Sequence, residues 1–237
     1  MIKAFPCEVL SWEDMYEYAR VLSGKIREDK FRPDAIVAIA RGGYVPARSL
    51  ADFLMVSELY SLQVSHWGMT AEKSDSAQIK EPLNADIAKK NVLLVDDLSD
   101  TGQSFSLARD HLLKQKPKKL KTAALFVLEN SSFVPDYYAS KQPWKWFVFP
   151  WNFTEDLCQL VAGLYEPDSD EKKSLDMVKE ELYAKHQIRV PSPKIKPVMD
   201  ELVHRRILTP YWKSGGLVRW MPFKKKISGS SAKTRPR

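Results

Sequence analysis

Three acids and a set of small and hydroxyl residues stand within one short stretch, Asn91 to Ser104 (NVLLVDDLSDTGQS). Asp96 and Asp97 follow an apolar run, Val92 to Val95, which is too short for a helix and reads as a central parallel strand. Asp100, Thr101, Gly102 and Ser104 then form a tight turn into a helix running from Ser104 to about Leu113. The free N–H groups and positive dipole end of such a helix make an anion site. Two carboxylates beside a phosphate cradle suit a phosphorylated sugar. The plainer alternative is that Asp100 and Thr101 cap a helix and Asp96 and Asp97 end a strand, as single acids do. The chain has no GxxxxGK[ST] loop and no GxGxxG, so the other common nucleotide sites are disfavoured.

A second strand, turn and helix precede it. Ala35 to Ala40 (AIVAIA) is continuously apolar, and Arg41-Gly42-Gly43 leads into a helix through about Phe53. Paired glycines let backbone N–H groups approach an anion, and the arginine neutralises it. Upstream, Ser11 and Asp14 have capping-box spacing, and Met15, Ala19, Leu22 and Ile26 recur at helical spacing. Leu59 to His66 and Thr122 to Leu128 are further strands. Strands alternating with helices predict an α/β fold, a parallel sheet with helices on both faces, with ligand across the carboxyl ends of the strands. Trp67 to Asp86 is polar, aperiodic and long for a loop in a compact domain.

VLLVDDLSDTGQS resembles the phosphoribosyl pyrophosphate (PRPP) motif of type I phosphoribosyltransferases, and RGG one strand earlier resembles their pyrophosphate loop. The resemblance implies that fold, with a flexible hood, and a role in purine nucleotide salvage. By it, Asp96 and Asp97 hold the ribose hydroxyls directly or through Mg²⁺ and its water, and Thr101, Gly102, Gln103 and Ser104 hold the 5′-phosphate. Arg41, Gly42 and Gly43 hold pyrophosphate, with a cis peptide at Ala40–Arg41. Asp100 lies near N7 of the base, and Asp100 and Arg41 carry the catalysis. Residues 67–86 match the hood, with Ser65 and Trp67 near its start.

The aromatic cluster Trp144 to Trp151 (WKWFVFPW) resembles the base-binding segment of xanthine-guanine and hypoxanthine-guanine phosphoribosyltransferases. That resemblance has Trp146 stack on the purine and the backbone of Phe147 meet the base edge; core or interface packing is the alternative. Those enzymes place a lysine near the end of the preceding strand to donate to O6, where this chain has Leu128 followed by Glu129. A leucine cannot donate, so the expectation leans to adenine and AMP, with a 6-oxopurine as the alternative.

The 237 residues suffice for one main domain and a small appendage. The expected division is 1–166 catalytic, 167–222 a small helical and hairpin domain, and 223–237 a basic, flexible tail. Residues 223–237 carry six basic residues and no acid, so all but one of the net charge of +7 lies there. Cys7 and Cys158 are too few for a disulfide scaffold, and nothing resembles a membrane span or signal peptide, so a cytoplasmic protein is expected. A homodimer is expected from the relatives. Helices over 170–187 and 195–208, a hairpin over 209–221 and the tail loosely resemble a winged-helix module. This supports a second reading, a PRPP-sensing regulator binding nucleic acid, ranked below the enzyme because Asp100, Arg41 and the long hood would be needless in it.

Overall fold

The computed structural model describes residues 3–66, 77–167, 169–212 and 218–224. The chain begins with β1 (Cys7–Val9), α1 (Trp12–Glu28), β2 (Ala35–Ala40), α2 (Tyr44–Phe53) and β3 (Glu58–His66). It continues through β4 (Ala77–Glu81), β5 (Asn91–Ser99), α3 (Gln103–Leu113), β6 (Lys119–Leu128) and β7 (Tyr137–Gln142). The remainder is β8 (Trp146–Val148), α4 (Phe153–Ala162), α5 (Leu175–His186), α6 (Ser192–His204), β9 (Leu208–Trp212) and β10 (Val218–Pro222).

Two compact units result, Leu10–Lys145 and a discontinuous one joining Met1–Val9 to Trp146–Arg237. They do not coincide with the division at 166/167 drawn from the sequence. The physical reason is the core: Val148 of β8 and Leu157 and Leu160 of α4 pack in one cluster with Val178, Leu182, Val198 and Leu202 of the two following helices.

The Leu10–Lys145 unit is a six-stranded sheet in the order β4-β3-β2-β5-β6-β7, parallel except for β4. Every residue of β2 is buried, as is the Val92–Asp96 stretch of β5, which is why both read as uninterrupted apolar runs. Helix α1 opens on a complete capping box: the Ser11 hydroxyl accepts from the Asp14 N–H at 3.1 Å, and the Asp14 carboxylate accepts from the Ser11 N–H at 2.8 Å. The Ser11 hydroxyl, which also donates to that carboxylate at 2.7 Å, and then the Ser11 N–H hold the Asp14 carboxyl below its ordinary range. The same helix buries Met15, Ala19, Leu22 and Ile26. Four strands escaped the sequence reading, among them β8, which lies in the aromatic cluster. β4 lies inside the stretch expected to be loop, pairing antiparallel with β3 and turning Ala77 and Ile79 inward; β7 is the polar edge YYASKQ, and β1 is three residues long.

In the discontinuous unit, β1 pairs in parallel with β8, and β9 pairs antiparallel with β10. Helix α5 starts later than the expected residue 170 because Lys173 exchanges both backbone bonds with Trp220, each 2.9 Å, and Ser174 then caps the helix. Helix α6 starts earlier than expected, at Ser192, with Pro193 in its first turn where a missing N–H costs nothing. The expected Ser214-Gly215-Gly216 turn lies outside the described residues. Cys7 and Cys158 are free thiols, and burial pushes Cys7 up to about 12. Among the described residues no helix is long and apolar enough to cross a membrane.

Ser11→Ala removes one side of the α1 cap and is expected to lower unfolding free energy by about 1 kcal/mol, read as a shifted urea midpoint with an unchanged slope.

Candidate active site

Strand β5 does not stop at Val95; it runs through both acids to Ser99, and Asp96 pairs with Ala124 of β6. Asp96 therefore still lies within the β5–β6 ladder, one residue past the end of the β2–β5 pairing, and is only 8% exposed. Its carboxylate accepts the Asp97 N–H at 2.9 Å. Burial first, and then the neighbouring Asp97 charge, push the Asp96 carboxyl well above the ordinary carboxylate range.

The loop after β2 closes on this pair. The Ala40–Arg41 peptide is cis. A Cβ on Gly42 would lie 2.2 Å from Asp97 Oδ2, and one on Gly43 would lie 2.5 Å from the Val95 carbonyl oxygen. Neither position tolerates any side chain without displacement, so the backbone of Arg41–Gly43 lies directly against the end of β5. Arg41 is exposed, and Gly43 donates to the Ile39 carbonyl at 2.9 Å as α2 begins.

Past Ser99 the chain turns through exposed Asp100 and Thr101 into Gly102, whose φ of 86° is left-handed. A Cβ there would also lie 2.5 Å from the Phe133 Cβ. Gly102 caps α3, and the N–H groups of Gln103, Ser104 and Phe105 have no carbonyl one turn earlier within the helix. The turn is braced by a segment that the sequence reading missed. The Ser132 hydroxyl donates to the Thr101 carbonyl at 2.6 Å, the Ser99 hydroxyl donates to the Phe133 carbonyl at 2.8 Å, and the Phe133 ring stacks on Phe105 at 5.2 Å and 8°. Residues 131–133 lie in the short loop after β6, and only the fold brings Ser132 back to Thr101, 31 residues earlier in the chain.

The structure thus brings Arg41–Gly43, Asp96–Asp97 and Asp100–Ser104 together at the carboxyl end of one sheet. Ser65 lies near the end of β3, opposite Gln78 of β4. Trp67 and the rest of residues 67–76 of the expected hood lie outside the described residues. Leu128 is only 2% exposed, and Glu129 is exposed with its N–H donating to the Gln142 carbonyl at 2.9 Å. Trp146 and Phe147 belong to the other compact unit, in β8; Trp146 is half-buried and Phe147 buried. No cluster of three metal-binding side chains occurs among the described residues.

A family described as "Phosphoribosyl transferase domain" matches residues 8–156. The chain belongs to this phosphoribosyltransferase family. Its mostly parallel sheet flanked by helices is the type I fold, and the chain resembles the purine enzymes of the family. The chain is 27% identical over 155 residues to a xanthine-guanine phosphoribosyltransferase of Idiomarina loihiensis, covering 65% of this chain and 92% of that protein. It is 32% identical over 120 residues to a hypoxanthine-guanine phosphoribosyltransferase of Aquifex aeolicus, covering 48% and 66%. A crystal structure of a purine phosphoribosyltransferase from Pyrococcus horikoshii superposes with a TM-score of 0.53 at 34% identity, covering 61% of this chain and 93% of that one. The family match ends within α4.

The raised Asp96 value has a stability consequence in this phosphoribosyltransferase. The folded state favours the protonated acid, so stability is fullest below the ordinary carboxylate range and is lost as pH rises through the raised folded-state value. Asp96→Asn, neutral at every pH, is expected to raise the melting temperature of the ligand-free protein at pH 8, with the gain shrinking towards pH 4 in parallel thermal melts.

Proposed function

We propose that this protein transfers the 5-phosphoribosyl group of PRPP to N9 of a 6-oxopurine base, releasing pyrophosphate. The observation that carries the PRPP half is the packing of the Arg41–Gly43 backbone against Asp96 and Asp97, beside the left-handed Gly102 turn that opens α3. A phosphorylated sugar with a pyrophosphate on its anomeric carbon needs those three things at one strand end: anion sites on either side of a carboxylate pair.

On sequence alone, Leu128 at the place of a lysine donor to O6 points to adenine. Leu128 is buried, so its lack of a donor says little about a base outside the core. The relatives carry the names xanthine-guanine and hypoxanthine-guanine phosphoribosyltransferase, which support the 6-oxopurine alternative over adenine. Phe147 adds no preference of its own. In a parallel pair the bonds of alternate residues face the partner; Trp146 donates to Pro6 of the β1 side, so the Phe147 N–H and C=O face the opposite edge of β8. One donor and one acceptor suit adenine or a 6-oxopurine equally well.

In the reaction the bond from the anomeric carbon to the pyrophosphate oxygen breaks as the N9 bond forms, and positive charge develops on the ribose. Asp96 and Asp97 hold the ribose hydroxyls, and the Asp97 carboxylate, pressed on Gly42, ties that contact to the pyrophosphate loop. Arg41 and the backbone of Gly42 and Gly43 receive the leaving charge. Thr101, Gly102, Gln103 and Ser104 bind the 5′-phosphate through helix N–H groups and hydroxyls. Asp100 takes up or relays the proton lost by the purine near N7. Two adjacent carboxylates with hard oxygens suit Mg²⁺, which ordinarily binds one or two carboxylates plus substrate phosphates; when bound it supplies charge neutralisation of the pyrophosphate.

Incubation with PRPP, Mg²⁺ and each purine separately is expected to convert hypoxanthine, guanine or xanthine, with adenine inert; rapid AMP formation alone would reverse the base assignment. Asp100→Asn is expected to retain PRPP binding while kcat falls by about 100-fold, and an unchanged kcat removes the proton role.

A further inference from the structure

Trp146 is held from the far end of the discontinuous unit. It pairs with Cys7 in the β1–β8 ladder, and its N–H donates to the Pro6 carbonyl at 2.9 Å. The preceding residue, Phe5, is half-buried, with its ring centroid 6.3 Å from that of Trp146 at 54°. The same Phe5 ring lies 4.7 Å from the imidazole of His186, at 58°. His186 is the last residue of α5 and has no solvent exposure. Its Nδ1 lies 3.2 Å from the Phe5 carbonyl oxygen.

A carbonyl only accepts, so Nδ1 carries the proton and donates it, which leaves Nε2 as a bare lone pair. That atom is buried without a hydrogen-bond partner among the described residues. Burial lowers the basicity of the ring, keeping the imidazole neutral. An unpaired buried acceptor destabilises the fold. A phenylalanine at 186 would fill the same space without it. What the histidine adds is a single directed bond that fixes the main chain of Phe5.

We propose that His186 and Phe5 are positioning residues for Trp146: the His186 bond fixes Phe5, and Phe5 fixes the indole plane against which the purine stacks. This rests on the reading of Trp146 as the stacking residue given above. It makes helix α5, beyond the end of the family match, a determinant of base affinity. A stacking plane tilted by loss of its support weakens base binding while leaving the PRPP half untouched.

The test is steady-state kinetics of the full chain with PRPP and the purine converted fastest by the wild type. His186→Phe keeps ring packing and removes the donor; His186→Asn keeps a donor N–H close to the place of Nδ1. His186→Phe is expected to raise KM for the base about five-fold, the worth of one hydrogen bond, with KM for PRPP and the melting temperature not lowered. His186→Asn is expected to restore the base KM towards the wild-type value. Should His186→Phe fail to fold, Phe5→Leu is expected to give the same split between the two KM values. A base KM unchanged in His186→Phe or Phe5→Leu, while Trp146→Leu raises it, overturns the positioning role alone. An unchanged base KM in Trp146→Leu overturns the stacking reading, and the positioning role with it.

Discussion

The close approach of the Arg41–Gly43 backbone to the end of β5 is the constraint on which the rest of the PRPP half depends. With a Cβ at Gly42 only 2.2 Å from Asp97 Oδ2, and one at Gly43 only 2.5 Å from the Val95 carbonyl, the two loops can meet only if both residues lack side chains. That approach in turn requires β2 and β5 to be adjacent, parallel and in register, which the pairing of Ala35 with Val92 through Ala38 with Val95 provides. Both strands are buried along that pairing, as their continuous apolar sequences require. The anion loop and the carboxylate pair are thus consequences of one strand alignment.

The same burial sets the electrostatics. Two acids placed next to each other at a buried strand end disfavour ionisation of Asp96, first through its burial and then through the Asp97 charge. Backbone N–H groups of Asp97 and Gly43 donate to the Asp96 carboxyl and offset part of that cost.

Much of this was legible in the sequence where the signal is local. The buried strands β2, β5 and β6 are continuous apolar runs, the α1 cap is a four-residue pattern, and Gly42, Gly43 and Gly102 stand where a side chain has no room. The failures are non-local. The edge strand β7 is polar because one side of it meets no further strand, and β1 acquires strand character only by pairing with residues about 140 positions away. Ser132 and Phe133 look like ordinary loop residues until Thr101 and Gly102 lie beneath them. Leu128 misled because matching it to a lysine position ignored that it closes the buried apolar run of β6.

The pairing of β1 with β8 also dictates an order of events during synthesis. Every strand of the six-stranded sheet lies between residues 35 and 142, so that sheet can assemble once the first 145 residues have left the ribosome. Cys7–Val9 must wait for Trp146–Val148 before it has its strand neighbour, and the cluster that holds β8 includes Leu202 and Trp220, made later still. The growing chain therefore carries Cys7–Val9 without its strand partner throughout the synthesis of the six-stranded sheet.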